Sequence, residues 1–286
     1  MSKNIKKISI GSANFGQIYS INKVFLNKKK IHEILDLAKK NKIYSIDTAQ
    51  AYKNSEKKIG EYINFQKFKN WDITTKVLKQ KRSLIDLFKK SKNNLIIKPN
   101  NLLVHNSKDF LDDDFRNDLI EIKKKENIKI GVSIYHEKDL LRILDKYRPD
   151  IIQIPINILD KKFYSKGLIS DLKKEKINIQ ARSIFFQGIL FQENGYIKKK
   201  IPSIYKHIYK LRTIAYKNNL SLGELSLSFV AGIREVDKII IGINNVQELK
   251  TNIKTLKSKI SSNVFNEIMD LRNLNINFLD ILSKLK

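Results

Sequence analysis

The stretch Ile43-Tyr44-Ser45-Ile46-Asp47-Thr48-Ala49-Gln50-Ala51-Tyr52 indicates how this chain of 286 residues folds. Its first half reads as a short buried strand, residues 43–46, which delivers the Asp47 carboxylate at its carboxyl end. Tyr52 follows five residues later, just before a predicted helix. A carboxylate and a phenol therefore lie at, or just beyond, the end of one strand.

Two later strands end in the same way. The strand predicted over 71–76 ends in Lys76, and the strand predicted over 101–105 ends in His105. In a parallel α/β barrel the carboxyl ends of the strands meet on one face, where catalytic residues collect. We therefore expect Asp47, Tyr52, Lys76 and His105 to lie close together.

Short apolar strands alternate with amphipathic helices along the whole chain, which predicts a parallel sheet. The predicted strands are 8–10, 43–47, 71–76, 101–105, 128–133, 150–154, 177–183 and 238–242. The predicted helices are 31–40, 54–64, 83–92, 113–125, 137–147, 166–175, 203–217, 221–231, 246–257 and 262–273, with an irregular connection over 184–201. No linker interrupts this series and no G-x-G-x-x-G follows the first strand, so a single (β/α)8 TIM barrel over 1–286 is favoured over a doubly wound sheet.

The composition limits the classes of function. The chain has 48 lysines, 8 arginines and 29 acidic residues, for a net charge of +27. The lysines are spread along the whole sequence, and recognition surfaces favour arginine, so we expect a solvated basic exterior and no specific nucleic-acid partner. That charge should still attract anionic substrates and cofactors. The absence of cysteine excludes disulfides, thiol nucleophiles and cysteine-based zinc sites.

No apolar run approaches the roughly 18 residues that span a bilayer. We therefore expect a cytoplasmic protein with no membrane partner.

The four converging side chains suit the reduction of a carbonyl group. Tyr52 can give a proton to the carbonyl oxygen, but a phenol with its usual pKa near 10 is a poor acid. The expectation is that the Lys76 ammonium lowers that pKa, that Asp47 holds the lysine, and that His105 donates a hydrogen bond to the carbonyl oxygen. Each residue alone also has an ordinary structural explanation, such as a helix cap for Asp47.

These motifs resemble the aldo-keto reductase superfamily. Asp47-Thr48-Ala49-x-x-Tyr52 is similar to its Asp-Thr-Ala-x-x-Tyr signature, Thr74-Thr75-Lys76 to its lysine strand, and 102–106 to its histidine strand. The resemblance covers nearly the whole chain. It implies a (β/α)8 barrel, a reaction between a carbonyl and an alcohol, an extended nicotinamide dinucleotide, no metal, and a monomer.

The resemblance also implies a cofactor site. Ser133 and Gln153 would hold the nicotinamide amide with Ala13 and Asn157 nearby, while Arg182 stands where the family often stacks an aromatic residue on the nicotinamide. The pyrophosphate would run along Ser183, Phe185, Gln187, Gly188 and Leu190. The adenosine end would meet Gly242, Asn244, Glu248 and Asn252.

The choice of dinucleotide stays open in the sequence. Family members that prefer NADPH often place a basic residue where Asn244 or Glu248 stands, and a carboxylate repels a phosphate. Amides can still donate to a phosphate, and Lys250 is close in sequence. We expect NADP(H) ahead of NAD(H).

The substrate pocket is expected to be framed by Phe15, Tyr19, Asn106, Tyr135 and residues 184–201. Its polar residues suggest a sugar, and the segments around Arg182 and Gln153 resemble bacterial family members linked to polysaccharide or sugar metabolism. The alternative is a catalytically weak barrel that senses the cofactor or binds an anionic polymer through the +27 charge.

Overall fold

The computed structural model describes residues 3–19, 21, 23–271 and 281. Within these residues, eight parallel strands close into a barrel, in which each strand pairs with its sequence neighbours and the first also pairs with the eighth. The strands are β1 (Ile8–Gly11), β2 (Ser45–Asp47), β3 (Asp72–Val77), β4 (Asn101–Val104), β5 (Lys129–Ser133), β6 (Ile151–Pro155), β7 (Asn178–Arg182) and β8 (Lys238–Gly242). The closed barrel confirms the predicted (β/α)8 architecture.

Helices connect the strands and cover the outside of the barrel. They are α1 (Lys3–Lys6), α2 (Ala13–Gly16), α3 (Lys28–Lys40), α4 (Ser55–Gln66), α5 (Leu84–Leu95), α6 (Ser107–Phe110), α7 (Asp113–Glu126), α8 (Glu137–Lys146), α9 (Lys162–Ser165), α10 (Leu168–Lys174), α11 (Asn194–Lys200), α12 (Pro202–Lys217), α13 (Leu222–Gly232), α14 (Val246–Thr255) and α15 (Ser262–Asp270). Two short 3₁₀ helices cover Gln50–Tyr52 and Phe186–Phe191.

The strands are buried on both faces, because side chains fill the barrel interior and helices pack outside it. Every residue of β1, β2, β4 and β6 is buried. The register pairs the last residues of β1 and β2, Gly11 with Asp47, and the last residues of β3 and β4, Val77 with Val104. Asp47 also pairs with Thr74, three residues before the end of β3. This alignment brings the carboxyl ends of the strands to one face.

Local sequence signals set the helix ends. Asp112 caps α7 by accepting from the Phe115 N–H over 3.0 Å, and the three lysines of 123–125 lie in its last turn, where the helix dipole favours positive charge. None of the helices in the described part of the chain is long and apolar enough to cross a bilayer.

Several predicted boundaries are wrong. The connection over 184–201 is not irregular throughout, because it contains the 3₁₀ helix Phe186–Phe191 and helix α11, whose Ile197 is fully buried. Helix α3 begins at Lys28, earlier than predicted, because Asn27 caps it. The last predicted helix, 262–273, ends at Asp270 in the structure, and residues 272 and 273 lie outside the described residues.

Candidate active site

The four predicted site residues lie at the carboxyl ends of three adjacent strands. Asp47 ends β2, Tyr52 ends the 3₁₀ helix that follows, Lys76 is the penultimate residue of β3, and His105 comes directly after β4. The His105 N–H donates to the Val77 carbonyl over 2.8 Å, which continues the β3–β4 ladder by one residue. The structure therefore brings these four side chains together.

Lys76 and Asp47 form a buried ion pair. The Lys76 ammonium donates to Asp47 Oδ1 over 2.7 Å, to Asp47 Oδ2, and to the Thr48 carbonyl over 2.9 Å. The side chains are 1% and 4% exposed. Burial lowers the pKa of Lys76, and the Asp47 carboxylate opposes that shift. The amide nitrogen of Gln153 also donates to Asp47 Oδ1, over 2.8 Å, so β6 helps to hold the pair.

Tyr52 lies beside this pair and beside His105. The Lys76 ammonium is 5.3 Å from the centre of the Tyr52 ring, and the rings of Tyr52 and His105 meet edge to face at 5.7 Å. Burial, and then the Asp47 carboxylate, raise the pKa of Tyr52 well above its usual value. The expected lowering of this pKa is therefore wrong, because burial of the phenol, with the Asp47 carboxylate beside it, outweighs the effect of the ammonium. The raised pKa keeps Tyr52 protonated at neutral pH.

His105 is held neutral. Burial, helped by the nearby charges of Lys76 and Arg182, lowers its pKa from 6.5 to about 3. A neutral imidazole donates through only one of its nitrogens. Its Nδ1 is buried and has no hydrogen-bond partner among the described residues.

Small residues behind the site fix the backbone that carries Tyr52. The Ser55 hydroxyl donates to Ser12 and accepts from Thr48, so a chain of buried hydroxyls links the ends of β1 and β2 to the start of α4. Gly16 packs directly on the Tyr52 backbone, since a Cβ atom at this glycine would lie 1.9 Å from the Tyr52 carbonyl oxygen. A larger residue at position 16 would displace Tyr52.

One cavity of about 600 Å³ opens at this face. It reaches from the catalytic candidates along the ends of β5 to β8 and over the start of α14. Predicted site residues in its lining are Ala13, Tyr19, Asp47, Tyr52, His105, Ser133, Tyr135, Gln153, Arg182, Ser183, Phe185, Gln187, Gly188, Gly242, Asn244, Glu248 and Asn252. Lys76 lies behind this wall, and its ammonium lies against two lining residues, Asp47 and Tyr52.

Four other predicted residues do not line the cavity. Phe15 and Leu190 are buried in the core. Asn106 caps α6, since its Oδ1 accepts from the Asp109 N–H over 2.8 Å. Asn157 is fully buried, where it donates to the Ser183 carbonyl over 3.2 Å and accepts from two backbone N–H groups. These side chains shape the walls but are not placed to touch a molecule in the cavity.

The loop after β7 has an unusual backbone. Ser183, Phe186, Gln187 and Gly188 all have positive φ angles, between 50° and 92°. Only glycine adopts such angles without strain. The Asn157 bond to Ser183 and the buried Phe186 hold this conformation, so the loop forms a shaped wall of the cavity.

Arg182, at the end of β7, packs against Tyr135, which follows the end of β5. Its guanidinium carbon lies 3.9 Å from the centre of the Tyr135 ring. Its nitrogens donate to the Ser133 hydroxyl (3.2 Å), the Ser183 hydroxyl (3.3 Å) and the Ile134 carbonyl (2.9 Å).

The other end of the cavity is built from amides and one carboxylate. Glu248 accepts from the Asn244 N–H over 2.8 Å and from the side-chain amides of Asn244 and Asn245. Asn14 donates to the Ile243 carbonyl over 2.9 Å, and its own amide oxygen is buried without a hydrogen-bond partner in the described part of the chain. Asn14 was not among the predicted site residues, although it is a polar residue that follows the end of β1 by three positions.

The sequence matches the model of the aldo/keto reductase family over residues 7–273. The chain belongs to the aldo/keto reductase family. This aldo/keto reductase is accordingly an NAD(P)H-dependent oxidoreductase of carbonyl and alcohol groups. The sequence has no significant match among curated proteins.

Solved structures of the family share the fold. Aldo-keto reductase AKR11C1 from Bacillus halodurans, in its holo form, is 16% identical with a TM-score of 0.77, and the match covers 95% of this chain and 94% of that one. The thermostable aldo-keto reductase Tm1743, in complex with the inhibitor epalrestat, is 20% identical with a TM-score of 0.74, and the match covers 93% and 95% of the two chains.

The residues of the cavity fit the dinucleotide that the family implies. The amide oxygens of Gln153 and Asn14 are buried acceptors with no partner among the described residues, one near the reacting end and one near β8. Gly242 leaves open space where a Cβ atom would stand. No cluster of three or more His, Asp and Glu side chains in the described ranges is suited to a metal ion.

Proposed function

We propose that this aldo/keto reductase reduces the carbonyl group of a sugar derivative, or oxidises the alcohol, with Tyr52 as the general acid and base. The observation that carries the proposal is the meeting of Tyr52, neutral His105 and the Lys76–Asp47 pair at one end of a single cavity. The proposal takes residues 1–286 as one domain, acting as a monomer in the cytoplasm.

Tyr52 would hold the proton that the carbonyl oxygen receives. Its raised pKa keeps the phenol protonated at neutral pH. It also makes the phenol a weak acid, so proton transfer would depend on charge that develops on the substrate oxygen. The bound cofactor supplies the hydride. His105 would donate its imidazole N–H to the same oxygen and orient it, which a neutral ring can do at any physiological pH.

Lys76 and Asp47 would act on Tyr52 by holding their charges beside its ring. The pair fixes a positive ammonium 5.3 Å from the Tyr52 ring and a negative carboxylate beside it. The ammonium would stabilise the phenolate formed once the proton has left, and Asp47 keeps the ammonium in place. Gln153 ties the same carboxylate to the proposed cofactor site.

The cofactor would lie along the cavity with its nicotinamide at β5 to β7. Gln153 would accept from the carboxamide through its unpartnered oxygen, and Ser133 and Ala13 would lie beside it. Tyr135 covers one face of Arg182, which leaves its other face for the nicotinamide.

The pyrophosphate would follow the loop of 183–188, and the adenosine end would meet Gly242, Asn244, Glu248 and Asn252. We propose that NADP(H) binds ahead of NAD(H). Support comes from the +27 charge, which attracts the more anionic dinucleotide, and from the amide groups around α14. Both oxygens of Glu248 already accept hydrogen bonds, which weakens the repulsion that this carboxylate exerts.

The test is turnover of a small set of carbonyl compounds with the purified protein. Aldehydes, ketones and reducing sugars are offered with NADPH and, separately, with NADH, and the loss of the reduced nicotinamide absorbance is followed. The proposal expects at least one carbonyl compound to be reduced. Binding of the dinucleotide without reduction of any class of carbonyl would overturn it.

A further inference from the structure

Arg182 places a positive charge at the reacting end of the cavity, and none of the carboxylates that the structure describes pairs with it. Two other arginines of the described chain, Arg116 and Arg148, are paired with Asp113 and Glu175. Lys76, the other cation at this end, is neutralised by Asp47. Arg182 forms no ion pair with any carboxylate of the described residues and instead donates to three neutral oxygens.

The hydrogen-bonding capacity of Arg182 is not used up by these contacts. A guanidinium has five N–H donors in one plane, and three of them are engaged by Ser133, Ser183 and Ile134. Tyr135 covers one face of the plane and so fixes its tilt. Two N–H groups therefore remain at the edge of a side chain that lines the cavity.

The groups around Arg182 do not supply the missing negative charge. Tyr19, Tyr52 and His105 surround the same space, and all three are neutral, because burial raises the pKa of each tyrosine and lowers that of the histidine. The other two carboxylates of the cavity lining, Glu224 and Glu248, are engaged in hydrogen bonds at the starts of helices. Glu224 is held in the capping box of α13 with Ser221, and Glu248 is held at the start of α14. Counted over the described residues, the reacting end therefore carries one unbalanced positive charge.

We infer that the carbonyl substrate carries a carboxylate, which the exposed edge of the Arg182 guanidinium binds. This inference rests on the proposed function and narrows its substrate class to aldehydes or ketones with an acid group, including sugar acids and 2-oxo acids. The planar fork of arginine matches the two oxygens of a carboxylate, and such charged hydrogen bonds are stronger than neutral ones. A neutral sugar would leave the charge of Arg182 unpaired.

The experiment compares acids with neutral molecules of the same size. The pairs are glyoxylate with glycolaldehyde, and glucuronate with glucose, and kcat/KM is measured for each with a saturating reduced dinucleotide. We expect wild-type protein to favour the acid of each pair by about tenfold or more, the range of a charge-assisted hydrogen bond. Arg182→Gln should bring the ratio close to one, and Arg182→Lys should keep only part of it. Arg234→Gln, an exposed arginine before β8, is the matched control and should keep the wild-type ratio.

Three outcomes separate this inference from the proposed function. Equal kcat/KM for acid and neutral partners, or an acid preference that survives Arg182→Gln, overturns the inference while the reductase stands. If no compound is reduced, the proposed function fails, and calorimetric titration with glucuronate and glucose then tests Arg182 alone. Binding of glucuronate that Arg182→Gln abolishes upholds the inference in that case, and equal binding by both proteins overturns it. Because acid and neutral partner are compared in the same protein, any effect of Arg182→Gln on cofactor binding cancels in the ratio, and thermal unfolding shows whether the variant folds.

Discussion

The Lys76 ammonium donates a 2.7 Å hydrogen bond to Asp47 Oδ1, and both side chains are almost completely buried. This pair crosses from β3 to β2 inside the barrel, directly behind the cavity wall. Each member of the pair neutralises the other inside the barrel, and the ammonium lies 5.3 Å from the centre of the Tyr52 ring. A change to either residue should therefore alter both stability and activity.

Removal of one member of the pair leaves an uncompensated charge in the barrel. We expect Lys76→Met to lower the free energy of unfolding by about 3 to 5 kcal/mol, since a buried carboxylate then loses its partner. Asp47→Asn should also destabilise the protein. The double variant should lose less than the sum of the two single losses, because neither charge then remains. Urea denaturation of the four proteins measures these differences.

Lys79→Met serves as the control for that cycle, because Lys79 pairs with Asp112 on the surface. Exposed pairs contribute little, so this variant should change stability only slightly. Additive losses from Lys76→Met and Asp47→Asn would contradict the coupled pair.

Tyr52→Phe should abolish most turnover and leave dinucleotide binding nearly intact. The phenol hydroxyl is the proposed proton donor, and general acid catalysis contributes roughly 10²-fold or more to the rate. Tyr44→Phe is a suitable control, since Tyr44 packs against Phe68 and Trp71 outside the cavity. Steady-state kinetics together with calorimetry separates the two effects, and undiminished turnover by Tyr52→Phe would remove this tyrosine from the mechanism.

His105 should make stability fall as the pH falls. Its pKa is about 3 in the folded protein and near 6.5 in the unfolded chain, so between these values the unfolded chain binds a proton that the folded protein does not. Acidification through this window should therefore cost stability, by up to about 1.4 kcal/mol per pH unit. His105→Gln should flatten this part of the stability profile.

The imidazole proton signals of His105, followed by NMR as the pH is lowered, measure the pKa of this ring in the folded protein directly. We expect them to remain constant from neutral pH down to well below 6.5. A titration near 6.5 would show that the ring becomes charged in the folded state and would contradict its proposed role as a neutral donor.

Glu248 should control the balance between the two dinucleotides. In the proposed cofactor pose its carboxylate lies near the position of the 2′-phosphate, where like charges repel by roughly 1 kcal/mol or more. Glu248→Gln should therefore improve NADPH binding relative to NADH by about fivefold, measured by calorimetry. Lys250→Gln, an exposed neighbour that does not line the cavity, is the matched control. An unchanged ratio in Glu248→Gln would place the 2′-position away from this residue.

The fold and the four-residue site were predictable because each depends on local sequence patterns. Strand–helix alternation fixes a parallel sheet, and strand ends converge in a closed barrel. No knowledge of long-range packing is therefore needed to predict the convergence of Asp47, Tyr52, Lys76 and His105. Short elements were less predictable, since α11 and the 3₁₀ helix Phe186–Phe191 are stabilised by packing of Phe186 and Ile197 rather than by a long periodic pattern.

Local sequence patterns did not predict the pKa values of the site residues or the directions in which their side chains point. The pKa of Tyr52 depends first on how deeply the phenol is buried, and burial follows from the folded structure rather than from a local pattern. Phe15 and Asn106 lie beside strand ends but turn away from the cavity, into the core and toward Asp109. The stacking of Arg182 on Tyr135 joins the end of β7 to the loop after β5, two segments that are far apart in sequence.

Calorimetric titration of the wild-type protein with NADPH, and separately with NADH, tests the central claim most directly. The claim is that the cavity along β5 to β8 holds a nicotinamide dinucleotide beside Tyr52. We predict saturable binding of at least one dinucleotide, with a single site per chain and NADPH ahead. If neither dinucleotide gives heat or saturation, the cavity is not a cofactor site, and a binding role driven by the basic exterior becomes the better account.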